Sequence, residues 1–250
     1  MKPYTAMVNG HEVVVDAEML HRSRVHLQAG SAGTASLGIR AFRLGVRLIF
    51  GLVFRVRVVG RANVPRRPAI ICFNHLGWTE VFLVLLYFPV EPRIYVIGHQ
   101  HVSELSGFRH WLVDKLQIMI PIDISKPFQA LRISEDLLRR GGSLLISPEG
   151  RLGTREGDLL PLQPGAAHAA IRTGVPLLPV GITGSKELWL RRPLTLRIGR
   201  PIAPEDFSGD LRTRVRAMTA ALDRGMRALL PGDYAHPPVK LLGKRLTELL

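Results

Sequence analysis

From residue 35 onward, short β-branched runs bounded by glycine or proline alternate with longer segments of helical periodicity. Such alternation is satisfied by an open sheet with helices on its faces, because nearly continuous apolar strands need covering on both sides. The pattern predicts strands at Arg55–Val59, Ala69–Phe73, Ile94–Ile97, Ile118–Ile122, Leu144–Ile146, Leu177–Ile182 and Leu194–Ile198. Helices are expected at about 36–54, Thr79–Phe88, Gly107–Leu116, Phe128–Arg140, Ala166–Arg172 and Leu211–Leu230, the fourth closed by Gly141 and Gly142 as a C-cap. The expected fold is a single α/β domain over residues 35–250, with a mixed, largely parallel sheet of about seven strands flanked by helices. Residues 1–34 read as an extension, with a short strand at His11–Val15 and a Gly/Ser/Ala-rich linker, AGSAGTAS.

Charge narrows the partners. The 34 Lys and Arg against 20 Asp and Glu give a formal charge of +14, which favours anionic partners. Most of the basic residues are arginines scattered through apolar segments. Aromatics make up only 6% of the chain, too few for the stacking platforms of a sequence-independent nucleic-acid binder, so no nucleic-acid partner is expected. The single cysteine, Cys72, excludes an internal disulfide and a cysteine-based zinc site, which suits a reducing compartment. The N-terminus carries no secretory signal pattern. In the most lipid-like segment, Leu37 to Val59, the longest uncharged run is the seven residues Leu48–Phe54, against roughly 20 for a bilayer span. Arg40, Arg43 and Arg47 recur there at helical spacing among Leu, Ile and Phe, a pattern shared by interfacial helices and by helices packed on a core.

The sharpest local feature is FNHLGWTE, residues 73–80, between the apolar run PAIIC and the apolar segment VFLVLLYF. Ligands meet open α/β sheets where a strand end feeds a helix start. In one regular helix, five residues of separation would set His75 and Glu80 about 140° apart. With His75 in the turn and Glu80 in the first helical turn, the carboxylate can instead fold back and fix the imidazole tautomer. That is a general-base pair able to take a hydroxyl proton near neutral pH. A loop histidine followed by a helix N-terminal charge is the plainer reading.

A second feature, SPEGRLGTR at 147–155, also follows a strand. If the strands are parallel, Glu149, Gly150, Arg151 and Arg155 share a sheet edge with His75, where glycine permits close backbone approach and arginine offers a fork matched to phosphate. A third, QPGAAHAAIRTGVPLLPVGITG at 163–184, reads as a small-residue helix and a buried strand, with His168 in an architectural role.

Together, over about residues 45–205, these segments resemble the 1-acylglycerol-3-phosphate acyltransferase family, the H-x4-D acyltransferases of phospholipid synthesis, with a glycerol-phosphate-acyltransferase-like fold. The resemblance rests on Asn-His-x4-acid after the second strand, then Pro-Glu-Gly-Arg, then PGAA-x-x-A-x-RTGVP-x-x-PVGI. The lead-in at 55–72 also resembles the family's. The resemblance implies that His75 deprotonates the acceptor hydroxyl, that Glu80 stands in for the family's Asp, and that Asn74, Glu149, Gly150 and Arg151 line the acceptor site. It places Pro179 and Val180 in the fourth block. It implies no metal, no cofactor and no covalent acyl-enzyme. The donor would be acyl-CoA or acyl carrier protein, and the acceptor a lysophospholipid at an anionic membrane surface, met peripherally from the cytoplasmic side.

Three departures bear on this. Glu80 is one methylene longer than Asp, and a misplacement of roughly 1 Å at a catalytic group can cost about a hundredfold. Ile118 and Ile124 occupy the second block's Gly and Arg positions, so Lys126, Arg151 or Arg155 would have to supply the charge for the acceptor phosphate, or the acceptor differs. The usual Glu-Gly-Thr-Arg becomes Glu149-Gly150-Arg151-Leu152, with Arg155 as a second candidate. Cys72, three residues before His75, invites a thiol nucleophile, although a strand residue there is expected to point into the core. A non-catalytic lipid-binding relative is the competing reading from another class.

Overall fold

The computed structural model describes residues 4–8, 11–15, 35–99, 119–122 and 127–230. The expected helix at 107–116, the second-block positions 118 and 124, and Lys126 lie outside them. Within the extension, strands β1 (Tyr4–Val8) and β2 (His11–Val15) form an antiparallel pair.

The domain runs α1 (Leu37–Val53), β3 (Arg55–Val59), β4 (Ile70–Phe73), α2 (Thr79–Tyr87), β5 (Ile94–His99) and β6 (Met119–Ile122). It continues with α3 (Pro127–Arg139), β7 (Ser143–Ile146), α4 (Gly165–Thr173), β8 (Leu177–Thr183), β9 (Pro193–Ile198) and α5 (Leu211–Arg227). All seven domain strands join one sheet in the order β3-β9-β8-β4-β7-β5-β6. Pairing is parallel throughout except between β8 and β9, so β9 and its parallel neighbour β3 run against the other five. The sheet is therefore mixed and largely parallel, as the strand pattern predicts.

Side-chain alternation divides the core between the two faces. Ile71, Phe73, Leu145, Leu178 and Val180 point to one side, where α2 lies and Phe50 and Phe54 at the end of α1 complete the packing. Ile70, Cys72, Leu144 and Leu177 point to the other, against the alanines of α4 and Met218, Leu222 and Met226 of α5. Helix α2 is buried from Thr79 to Leu86, which explains why its sequence is apolar on every side. The edge strand β3 turns Arg55 and Arg57 to solvent, which discourages pairing with another chain.

Gly184 ends β8 at φ +96°, and a Cβ there would collide with the Pro193 carbonyl oxygen as β9 begins. Only glycine fits that turn. Gly184→Ala is expected to cost roughly 1–2 kcal/mol from the backbone alone, with the clash in addition. The denaturant midpoint should fall at unchanged slope.

Candidate active site

Strand β4 emerges from the middle of the sheet and leaves its last turn, Asn74–Trp78, above the strand ends. Asn74 is fully buried and locks that turn to β8: its Nδ2 donates to the Ile182 carbonyl at 2.9 Å, and the Ile182 N–H donates to its Oδ1 at 2.7 Å. His75 follows in the turn, edge-on to Phe73 with ring centroids 5.4 Å apart, its side chain 27% exposed. Glu80, the second residue of α2, is completely buried.

The Glu80 carboxylate folds back over the turn. Its Oε2 accepts the Gly77 N–H at 2.8 Å and the Leu76 N–H at 3.2 Å, and stands 3.4 Å from His75 Nδ1. Hydrogen bonds to a charged acceptor are worth roughly 1.5–3 kcal/mol each and offset part of the cost of this dry position, in which Oε1 has no hydrogen-bond partner among the described residues. A carboxylate at Nδ1 favours the tautomer that carries its proton there. Nε2 is then left as a bare acceptor.

The loop after β7 lies on the same edge, because β4 and β7 are adjacent and parallel. Glu149 Oε1 accepts the His75 N–H at 2.9 Å and its Oε2 accepts the Leu160 N–H at 2.8 Å, while the Gly153 N–H donates to the His75 carbonyl at 2.7 Å. The loops at 73–80 and 147–160 are thus stitched into one unit, with the Gly153–His75 backbone bond as the central stitch. Burial raises the Glu149 carboxyl above its usual range, opposed by its two backbone hydrogen bonds.

Two of the residues assigned to the acceptor also have structural partners. The family resemblance puts Asn74 and Glu149 against the acceptor, but both polar atoms of the Asn74 amide and both Glu149 oxygens are engaged by backbone groups. These bonds hold the turn that carries His75. Gly150, at φ +68°, makes the bend of the second loop. Arg151 is exposed on that loop, and the mostly exposed Arg155 side chain lies 3.8 Å from Asp158.

Nothing in the sequence singles out Glu156. Its carboxylate accepts the Gly184 N–H at 2.8 Å and the Lys186 N–H at 3.1 Å, and Lys186 Nζ reaches the Gly153 carbonyl at 3.3 Å, which ties the loop to the β8–β9 turn. No motif marks it, since its partners are backbone groups almost thirty residues away in sequence. Burial raises this carboxyl too.

The family model described as Acyltransferase matches residues 55–183, just over half of the chain. The chain belongs to the acyltransferase family. Among its relatives are 1-acyl-sn-glycerol-3-phosphate acyltransferases of Limnanthes douglasii, 27% identical over 69% of this chain and 65% of that protein, and of Bacillus subtilis, 29% identical over 74% and 92%. A lyso-ornithine lipid O-acyltransferase of Pseudomonas aeruginosa is 31% identical over 66% of this chain and 57% of its own length. The chain thus spans less than two thirds of several of the relatives it matches. The crystal structure of a 1-acyl-sn-glycerophosphate acyltransferase from Thermotoga maritima shares the fold, with a TM-score of 0.62 at 22% identity, covering 88% of this chain and 89% of that one.

In this family member, Cys72 is fully buried on the opposite side of β4 from Phe73, and burial pushes its thiol far above the usual range. A thiolate nucleophile there is disfavoured. Among the described residues, no three of His, Cys, Asp and Glu stand close enough together to hold a metal ion.

The geometry sets expectations for two carboxylates. Glu80→Gln should leave the fold intact but lower kcat by about 10²-fold or more, and Glu80→Asp, which keeps the charge but draws the carboxylate back from the turn, should cost up to about a hundredfold. Steady-state rates beside circular dichroism would check both. The raised carboxyls of Glu149 and Glu156 hold protons more tightly in the folded chain than in the unfolded one. Their contribution to stability is therefore fully present below the unfolded value of about 4.5 and is lost as pH rises through the folded values. In Glu156→Gln, unfolding titrations across that window should show a shallower fall in stability with pH.

Proposed function

We propose that the chain moves a fatty acyl group from a thioester donor, acyl-CoA or acyl carrier protein, to the free hydroxyl of a lysophospholipid. The favoured acceptor is 1-acylglycerol-3-phosphate, giving phosphatidate. The observation that carries this reading is the His75–Glu80 contact at 3.4 Å, set above the strand ends with the imidazole partly open to solvent. Nε2 takes the acceptor's hydroxyl proton as the oxygen attacks the thioester carbonyl carbon. The tetrahedral oxyanion collapses, the carbon–sulfur bond breaks, and the departing thiolate takes the proton back from the imidazolium. Arg151 and Arg155, on the stitched loop, are the described candidates for an acceptor phosphate, and Lys126 is a third.

Helix α1 supports a peripheral place at a membrane. Leu37, Leu44, Leu48, Ile49 and Leu52 are each more than half exposed, an apolar stripe turned away from the protein. The arginines of the same helix are engaged by the protein itself. Arg43 donates to the Leu86 and Phe88 carbonyls at the end of α2, Arg47 stacks over Tyr87, and Arg40 pairs with Glu91. Burial, with Arg47 beside it, pulls the Arg43 guanidinium down to about 10, still charged at neutral pH. Apolar burial therefore drives attachment, and the exposed Arg55 and Arg57 next to α1 supply any preference for anionic lipid. No helix among the described residues is long and apolar enough to cross a membrane. The cytoplasmic side is where such thioester donors are available.

A second reading concerns the acceptor alone. Ile124 stands where the family's second block has arginine, and one relative is named for a lyso-ornithine lipid, so an acceptor without a glycerol phosphate is the alternative.

Purified protein given labelled acyl-CoA and a panel of lysophospholipids should acylate lysophosphatidate fastest, and His75→Ala should lose roughly 10²- to 10⁴-fold. Equal turnover by His75→Ala would end the proposal. Replacing Leu48 and Leu52 together by Asp should cut co-sedimentation with phosphatidylglycerol vesicles at least tenfold, since two buried leucines are worth well over about 1.4 kcal/mol.

A further inference from the structure

On the sheet face opposite α1, a groove of about 1120 Å³ runs along α5 against the segment at 161–164. Leu162, Val215 and Ala220 give it an apolar lining, and no aromatic residue is among the described side chains that border it. Arg212 and Arg216 stand toward one end, Arg224 and Arg227 toward the other. Helix α5 carries five arginines and one acid, Asp223, which is already bound to Arg227 at 2.8 and 3.0 Å. Among the described residues, no carboxylate pairs with Arg212, Arg216 or Arg224. His168, read as architectural, also borders the groove, and its buried Nδ1 has no hydrogen-bond partner among the described residues.

We propose that this groove docks an acidic amphipathic helix of a protein that carries the acyl thioester, a deduction that rests on the transfer reaction proposed above. Length and charge spacing select that occupant. Arg212 to Arg227 spans about 22 Å at 1.5 Å per residue, four turns of a facing helix. Arg216 and Arg224 are separated by about 12 Å of helix whose one charged residue, Asp223, is bound to Arg227. The phosphates of one nucleotide are clustered and would engage one pair at most. A helix with acids at both ends and an apolar middle would engage Arg212 and Arg216 at one end and Arg224 at the other, and cover the lining between them. The absence of aromatics from the described lining argues against single-stranded nucleic acid.

The groove is also joined to the chemistry. Arg227 donates to the Leu159 carbonyl at 3.3 Å, and the next residue, Leu160, donates to Glu149, which in turn holds the His75 N–H. A carrier seated on α5 therefore rests against the segment that anchors the catalytic turn. With α1 on the opposite face of the sheet, a soluble donor protein could dock while the apolar stripe lies on the membrane.

The test is Arg212→Glu combined with Arg216→Glu, both exposed positions. Initial rates are measured with acyl carrier protein and with CoA thioesters of the same chain, on one acceptor. The KM for the carrier protein should rise at least tenfold while kcat and KM for acyl-CoA stay within about twofold. Equal effects on both donors, no effect on either, or a parent protein that uses only acyl-CoA would overturn the docking proposal. Calorimetric titration of the same proteins with acyl carrier protein reads docking without turnover, with at least a tenfold weaker Kd expected for the variant and an unchanged Kd contradicting it. Absence of turnover with either donor, with carrier binding intact, would instead count against the acyl-transfer reading.

Discussion

One carboxylate oxygen organises the turn that carries His75. Glu80 Oε2 gathers the Leu76 and Gly77 N–H groups and faces His75 Nδ1 from a fully buried position. Burial of such a group is costly, and Oε2 alone offsets it, since Oε1 is buried with no hydrogen-bond partner among the described residues; the bonds to Oε2 fix the turn and the start of α2 together. The same bonds that stabilise the carboxylate set the imidazole's orientation. Stability and chemistry share their cause here.

The sheet supplies the rest of the arrangement. Parallel strands place the ends of β4 and β7 side by side, and two further carboxylates convert that proximity into a rigid site. Glu149 binds one loop to the other, and Glu156 binds the second loop to the β8–β9 turn. Each accepts hydrogen bonds from backbone groups. A site assembled this way keeps its shape whichever surface side chains face the substrate, which fits a family whose members are named for different lipid acceptors.

Much of this is legible in the sequence. The strands fall within a residue or two of the expected positions because their β-branched runs are short and sharply bounded by glycine and proline, as at Pro68 and Gly174. The His75–Glu80 contact is legible because a spacing of five excludes a shared helix and demands a turn. The set of Arg43 and Arg47 onto α2 is not, since periodicity groups residues on a face without saying which face meets the protein. Nor are the backbone-binding roles of Asn74, Glu149 and Glu156, because their partners belong to no sequence pattern.

The extra methylene of Glu80 is accommodated by a carboxylate that reaches back over the turn, with one oxygen serving three groups. The account therefore depends on the proton being at Nδ1 of His75. Nitrogen-15 and proton correlation spectra of the imidazole at neutral pH measure this directly. A protonated Nδ1 with a bare Nε2 is the predicted result, and a proton resident on Nε2 with Nδ1 bare would contradict it.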